Sequence, residues 1–233
     1  MLLGDGCLSA YFPNGKRSEK TLPHVAFSIT HSLVQKDYLV WKAELINKTF
    51  RDKNLSKRCL LKKQYDYFDK RTGKTYSRVQ LELNWAEYFR ILRGRTHKRS
   101  SGKDRKNVEY LLSQMGSDIQ LAIWFGDDGS EIRRKFKSTI TKEVIGISDP
   151  CYKLCTNCFS LEEHQVFKQW FESKYGITPT ISTNQGRPIL LFSTNDSKKI
   201  FKLISPYLNK VESMRRKFWL SFERYLPEKL STS

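Results

Sequence analysis

The 233-residue sequence predicts a mixed α+β protein built from two copies of one unit. Three observations carry that prediction. The order of helix and strand signals read between Leu121 and Ile204 recurs between Gly4 and Leu92. The spacings agree: Asp5 to His31 is 26 residues and Asp128 to Thr156 is 28. Each copy also opens on an apolar stretch that ends in an acid followed by glycine, at Gly4-Asp5-Gly6 and at Asp127-Asp128-Gly129. The units are placed at 1–92 and 118–233, with a basic linker over 93–117. A fixed order repeated at matched spacing is the mark of a duplicated fold.

In the second copy, Leu121-Ala122-Ile123-Trp124-Phe125-Gly126 is apolar or small and stops at Asp127-Asp128-Gly129. A polar, basic stretch follows from Glu131 to Lys137, and then a short strand and turn over Cys151–Phe159. Ser160, with Glu163 three residues on, forms a capping box for a helix carrying Phe167, Trp170 and Phe171. Gly176 ends that helix. Two short strands come next, the second being Pro188–Phe192. Asp196 or Ser197 then caps a helix with Ile200, Phe201, Leu203 and Ile204 on its apolar stripe.

The first copy follows the same order. A strand is expected over Ala26–His31, then a helix with Tyr38, Trp41, Leu45 and Ile46 on one stripe. A basic, Tyr-rich stretch runs from Lys62 to Tyr76. A strand over Arg78–Leu83 and a helix over Trp85–Leu92 close the unit. His31 to Asn84 is 53 residues against 38 from Thr156 to Thr194, so the first copy carries extra residues in its hairpin region. The join Arg93–Lys106 holds seven basic residues and one acid, Asp104, which suits contact with a phosphate backbone as well as an exposed linker.

Composition narrows the partners. Lys and Arg number 42 against 24 Asp and Glu, a formal net charge of +18, while 39% of residues are hydrophobic. That is a folding composition whose positive charge calls for a polyanion, and nucleic acid is the commonest one. There is no run of 18 apolar residues, so no membrane span is expected. Met1–Asp5 lacks the basic and apolar regions of a signal peptide. The five cysteines are odd in number and scattered, which fits a reducing compartment. Cys151, Cys155 and Cys158 with His164 nearby have poor spacing for zinc, and ordinary thiols are expected. His24, His31 and His97 have no paired nucleophile in view and are assigned no catalysis.

The chemistry centres on the two motif acids. Ala122 and Gly126 give the motif helix a small-residue face that lets a partner helix approach closely. If the repeats pack through these helices, Asp5 and Asp128 lie side by side. Two carboxylates that close repel unless a cation sits between them. Hard oxygen ligands suit Mg²⁺, which activates water and stabilises the leaving oxygen of a phosphodiester.

On these residues the chain resembles the LAGLIDADG homing endonucleases of the monomeric, two-motif kind. Leu121–Gly129 matches the full motif, and Leu2, Leu3 and Gly4-Asp5-Gly6 match the end of the first copy. The resemblance implies two pseudo-symmetric αββαββα units, packed through paired motif helices, whose sheets form a DNA-binding β-saddle. It implies a monomer that binds a long, asymmetric double-stranded DNA site. Such a protein cuts one phosphodiester in each strand across the minor groove and leaves short 3′ overhangs. The acids Asp5 and Asp128 would bind Mg²⁺, or Mn²⁺ in its place, with help from the backbone carbonyls of Gly4 and Asp127. Lys106 and Lys217 match the family's basic residue near each centre, with Arg105 and Lys210 as rivals. Base and phosphate contacts are expected from alternate strand residues, here Asn14, Lys16, Arg17, Ser28, Thr30, Gln80, Glu82, Arg133, Lys135, Thr156, Asn157, Gln185, Arg187 and Ser193. The shorter first motif predicts unequal cutting by the two centres. Location is expected to be intracellular, in a mitochondrion, a chloroplast or a bacterial cytoplasm, as for intron-encoded proteins.

Two other readings use the same fold. A maturase would bind intron RNA through the basic surface and need no intact metal centre. A non-enzymatic regulator would bind DNA without cutting. Retention of both Asp5 and Asp128 favours the nuclease.

Overall fold

In a computed structural model the chain divides into two compact units, Met1–Leu111 and Leu112–Ser233. The structure describes residues 2–11, 24–54, 59–83, 85–100, 103–133 and 135–226. Asn14, Lys16 and Arg17 lie outside the described residues.

The N-terminal unit opens on a turn over residues 2–5, which stands where the second copy has a helix. Strands β1 (Cys7–Tyr11) and β2 (His24–Ser32) follow, then helix α1 (Lys36–Asp52). The Tyr-rich stretch is one long hairpin, β3 (Leu60–Asp69) and β4 (Lys74–Leu83), and α2 (Ala86–Thr96) packs after it. The four strands pair antiparallel in the order β1-β2-β4-β3. The side-chain period of two sorts β2 and β4 into faces. Val25, Phe27, Ile29, Val79, Leu81 and Leu83 point into a core completed by Leu8, Leu39, Ala43 and Phe89. Ser28 and Thr30 take the other face, opposite Glu82 and Gln80.

The residues read as a basic linker carry regular structure. His97–Ser100 and Lys103–Lys106 form a hairpin, β5 and β6, and Val108–Ser113 forms α3. Asp104 accepts a hydrogen bond from Arg93, whose guanidinium also donates to Leu8 O. The hairpin is thereby tied to the first strand of its own unit.

The C-terminal unit begins with the motif helix α4 (Asp118–Asp128). Six consecutive residues, Leu121 to Gly126, are buried, as expected of a helix that is apolar all round. Strand β7 (Gly129–Ile132), the short hairpin β8 (Lys135–Lys137) and β9 (Val144–Ile147), and β10 (Cys151–Leu154) lead to α5 (Leu161–Tyr175). Ser160 and Glu163 form the expected capping box, and Gly176 ends α5 in the left-handed region at φ 59°. β11 (Thr180–Asn184) and β12 (Arg187–Leu191) turn through Gln185-Gly186, both at positive φ, the geometry of a two-residue hairpin loop. The sheet order is β11-β12-β10-β7, the mirror listing of the first unit's β1-β2-β4-β3. Helices α6 (Thr194–Leu208), α7 (Glu212–Lys217) and α8 (Trp219–Tyr225) complete the unit.

Two local expectations change. The cap of α6 is Ser193, whose hydroxyl accepts from Asp196 N at 3.1 Å. Ser197 is instead buried inside the helix and accepts from Tyr152 N at 2.8 Å, which ties α6 to β10. The buried face of α1 is Tyr38, Leu39, Lys42 and Ala43, while Trp41, Leu45 and Ile46 are half-buried. A lysine therefore sits in the middle of the helix face turned to the core.

Candidate active site

Each unit places its motif acid at the end of a short apolar element, beside a lysine from a distant part of the same unit. In the N-terminal unit, Asp5 ends the opening turn with its carboxylate partly exposed. Lys106, on β6, lays its ammonium on the preceding carbonyls, donating to Gly4 O at 3.1 Å and Leu3 O at 3.5 Å. In the C-terminal unit, Asp128 ends α4. Lys217, at the end of α7, donates to Gly126 O at 2.6 Å and Asp127 O at 3.1 Å. The correspondence is residue for residue: in both units the lysine takes the carbonyls one and two places before the acid.

At the second centre the carbonyls face Lys217 for a reason of backbone geometry. The last four carbonyls of a helix have no partner within it. At the end of α4 one of them, Phe125 O, accepts from Gly129 N, and Asp128 O accepts from Cys155 N at 2.9 Å. Gly126 O and Asp127 O are left to Lys217, whose ammonium also suits the negative end of the helix dipole. Gly129 permits the sharp exit into β7. A Cβ there would lie 2.5 Å from Phe125 O and 2.8 Å from the Phe125 ring.

Each centre thus offers a carboxylate and backbone carbonyl oxygens that already hold a cationic group. That donor set fits a hard divalent cation such as Mg²⁺. Asp5 with Gly4 O, and Asp128 with Asp127 O, are the groups that could hold one.

The N-terminal centre has two further members that the sequence reading missed. His31, on β2, lies with Nδ1 3.6 Å from Asp5 Oδ2. Behind it, Lys42 Nζ is 2.9 Å from His31 Nε2. His31 is 5% exposed and Lys42 0%. Lys42 also lies 4.3 Å from the centroid of the Tyr38 ring. The signal was present in the sequence: His31 follows Phe27 and Ile29 on the core-facing period of β2, and Lys42 stands four residues after Tyr38. A cavity of about 440 Å³ opens beside this group, lined by Asp5, His31, Gln35, Asp69 and Arg78 among others.

The candidate contact residues divide by environment. Ser28, Thr30, Gln80 and Glu82 form one half-buried patch on the sheet face opposite the core. Lys135, Gln185 and Arg187 are exposed on the C-terminal unit's hairpins, and Asn157 is half-buried in a turn. Thr156 is corrected: it is 0% exposed and its hydroxyl pairs with His164 Nε2 at 2.7 Å, so it reaches no groove. The hydroxyl of Ser193 is engaged as the α6 cap. Arg133 is exposed, donates to Glu131 Oε1 at 3.2 Å and lies 4.7 Å over the exposed Trp219 ring. His164 also uses Nδ1, on Ser160 O at 2.7 Å, so both its ring nitrogens are engaged away from the nearby cysteines.

Electrostatics around the first centre follow from burial and charge. Burial, then Arg93 and Lys106, hold the His97 imidazole below the usual histidine range. In the second unit burial pushes the Tyr152 hydroxyl well above the usual tyrosine range, against a hydrogen bond to Ser221 that acts the other way.

Comparison with known proteins agrees with this organisation. The profile of the LAGLIDADG DNA endonuclease family matches residues 1–200. Among curated relatives, Protein RecA of Mycolicibacterium flavescens is 26% identical over 215 residues, which is 89% of this chain and 42% of that protein. The chain therefore spans less than half the length of that relative. Probable intron-encoded DNA endonuclease 3 of Mycosarcoma maydis is 24% identical over 135 residues, 58% of this chain and 84% of that protein. Among solved structures, the homing endonuclease I-WcaI bound to its DNA recognition sequence superimposes with a TM-score of 0.57 at 18% identity, over 93% of this chain and 81% of that one. Meganuclease I-SmaMI bound to DNA gives 0.53 at 12% identity, over 98% and 91%. These structures share the fold, and the family profile spans Asp5, Lys106 and Asp128, while Lys217 lies beyond its end at residue 200. By that profile the chain belongs to the LAGLIDADG DNA endonuclease family.

Proposed function

We propose that the chain is a site-specific endonuclease that hydrolyses one phosphodiester in each strand of a double-stranded DNA target, using divalent metal at Asp5 and at Asp128. The observation that carries this reading is the duplicated lysine–carbonyl–acid arrangement, with Lys106 on Gly4 O and Lys217 on Asp127 O. A divalent cation at such oxygens supplies Lewis acidity toward a phosphodiester. Asp5 and Asp128 hold the negative charge that binds it, and Gly4 O and Asp127 O extend each donor set. Lys106 and Lys217 bring a fixed positive charge beside each acid, where a phosphate would gain charge during cleavage.

DNA binding is supported by the +18 net charge and by the similar structures I-WcaI and I-SmaMI, which are complexes with DNA. The patch of Ser28, Thr30, Gln80 and Glu82 is assigned to base reading, since hydroxyl, amide and carboxylate groups match base edges in the major groove. Arg187, Lys135 and Gln185 are assigned to phosphate and base contacts in the second unit. The protein acts as a monomer, with Mg²⁺ as the working cation.

The test is cleavage of a randomised target library with and without Mg²⁺. Wild-type protein is expected to cut in Mg²⁺ and not in chelator. Asp5→Asn and Asp128→Asn are each expected to lose cutting of one strand while binding the selected site. Specific binding with no cutting in any divalent metal would overturn the endonuclease reading, and tight binding to structured RNA alone would replace it with the maturase reading.

A further inference from the structure

We infer that Lys42 and His31 form a positioning relay that serves the N-terminal centre alone. The inference rests on the endonuclease reading for its kinetic consequence, but its structural core stands on geometry. Lysine has only donors, so the 2.9 Å contact from Lys42 Nζ makes His31 Nε2 the acceptor. The ring proton of a neutral imidazole then resides on Nδ1, the nitrogen 3.6 Å from Asp5 Oδ2. His31 therefore presents an N–H to the carboxylate. In that tautomer it turns the positive end of its N–H dipole toward Asp5, close enough to bias the carboxylate though beyond a hydrogen bond, and has no lone pair at Nδ1 to ligate a metal.

Among the described residues, the C-terminal unit has no such relay. By strand register, Thr156 stands where His31 does: Cys7 faces Ser28 and Ser130 faces Lys153, each two residues past its acid, and His31 and Thr156 each lie three residues on from that partner. The Thr156 hydroxyl is paired with His164. Lys42 is the seventh residue of α1, and the seventh of α5 is Phe167, apolar and 0% exposed. One unit fills this place with packing, and the other spends it on a buried lysine. A buried ammonium is expensive unless it is hydrogen-bonded, so its retention at the core-facing side of α1 calls for a role. Asp5, at the far end of the imidazole, supplies one.

The full chain, labelled with ¹⁵N-histidine, tests the tautomer directly. His31, assigned by its loss in His31→Gln, is expected in the Nδ1–H form, and Lys42→Met is expected to release it to the other tautomer or a mixture. His31 in the Nε2–H form in wild-type protein, or no change in Lys42→Met, would overturn the relay.

Removing one partner alone risks unfolding, so Lys42→Met is read with its folding checked by circular dichroism, and the second arm uses the apolar double variant Lys42→Met/His31→Leu with the same check. Mn²⁺ binding, followed by electron paramagnetic resonance, should weaken about 10-fold at one site, the scale seen when outer-shell partners are lost. Nicking of a target labelled on both strands should slow about 10-fold on the strand cut through Asp5, with the other within about twofold. His31→Gln, whose amide can accept from Lys42 and donate to Asp5, should recover most of the loss. Equal slowing of both strands by a folded double variant would overturn the one-centre role. If wild-type protein cuts neither strand, the endonuclease reading fails, while the tautomer measurement still decides the relay.

Discussion

The two units share a sheet order but stabilise it differently. The C-terminal unit is built on interlocking aromatic rings. Trp124 stacks on Phe171 at 5.9 Å, Phe125 meets Phe192 at 5.5 Å and Tyr152 at 5.9 Å, and Tyr152 meets Phe218 at 5.5 Å. Its helices α5 and α6 have hydrogen-bonded serine caps. The N-terminal unit has a more aliphatic core, helices α1 and α2 without a side-chain cap, and the buried pair Lys42 and His31 against it. The comparison teaches that a duplicated fold can keep its acid–lysine geometry in register while its two cores drift apart. What the copies hold in common is the acid, the lysine and the carbonyls between them.

The largest effect that would break this comparison is on stability. Phe171→Ala removes a ring shared by Trp124, Phe125 and Phe192, and should cost about 3–5 kcal/mol in urea unfolding. A loss as small as a surface substitution would mean that the aromatic cluster is not what holds the second unit together. The lysines test what the units share. Lys106→Met and Lys217→Met should each slow cutting of one strand by about 100-fold, the cost of removing one preorganised charge-stabilising donor. If only one of them matters, the symmetry of the two centres is geometric without being functional.

The smallest effect is in pH. His97 in the N-terminal unit has a lowered pKa, so it is neutral in the folded state where the unfolded chain would be charged. Its contribution is present above about pH 6.5, the unfolded value, and is lost as pH falls through the folded one. Tyr152 in the C-terminal unit has a raised pKa, so its contribution is full below about pH 10 and is lost as pH rises beyond it. Urea midpoints across the pH range should fall on both sides. His97→Gln should flatten the acid limb and Tyr152→Phe the alkaline one. If either variant flattens the opposite limb, the assignment of those limbs is wrong.

How much was legible in the sequence follows the same division. The second unit declared itself, because Ser160, Glu163 and Gly176 are local signals that act within a few residues of themselves. The places where the two motif segments end, at Asp5 and Asp128, were legible for the same reason. The contact candidate Thr156 failed because burial depends on what packs over the end of β10, which no local pattern encodes. The cap of α6 was misplaced by a few residues because Ser193, Asp196 and Ser197 are all competent caps, and the hydrogen bond from Tyr152 N draws Ser197 into the core. Lys42 and His31 were passed over because a lysine on a helix reads as surface, and its partner lies 11 residues away on a strand. Polar groups that are buried for a purpose are where pattern reading and packing part company.

Gly129 carries a consequence for the history of such chains. Its place is set by the closeness of Phe125, not by any reaction. The carboxylate of Asp128, one residue earlier, is set on the proposed reading by the metal it would hold. Selection on the two neighbours is therefore separable. A descendant that abandons cutting and keeps only binding is free to replace the acid at once, yet it must keep the glycine as long as the helix still turns directly into the sheet. In a lineage drifting away from catalysis, the acid goes first and the glycine stays behind as the trace of the lost activity.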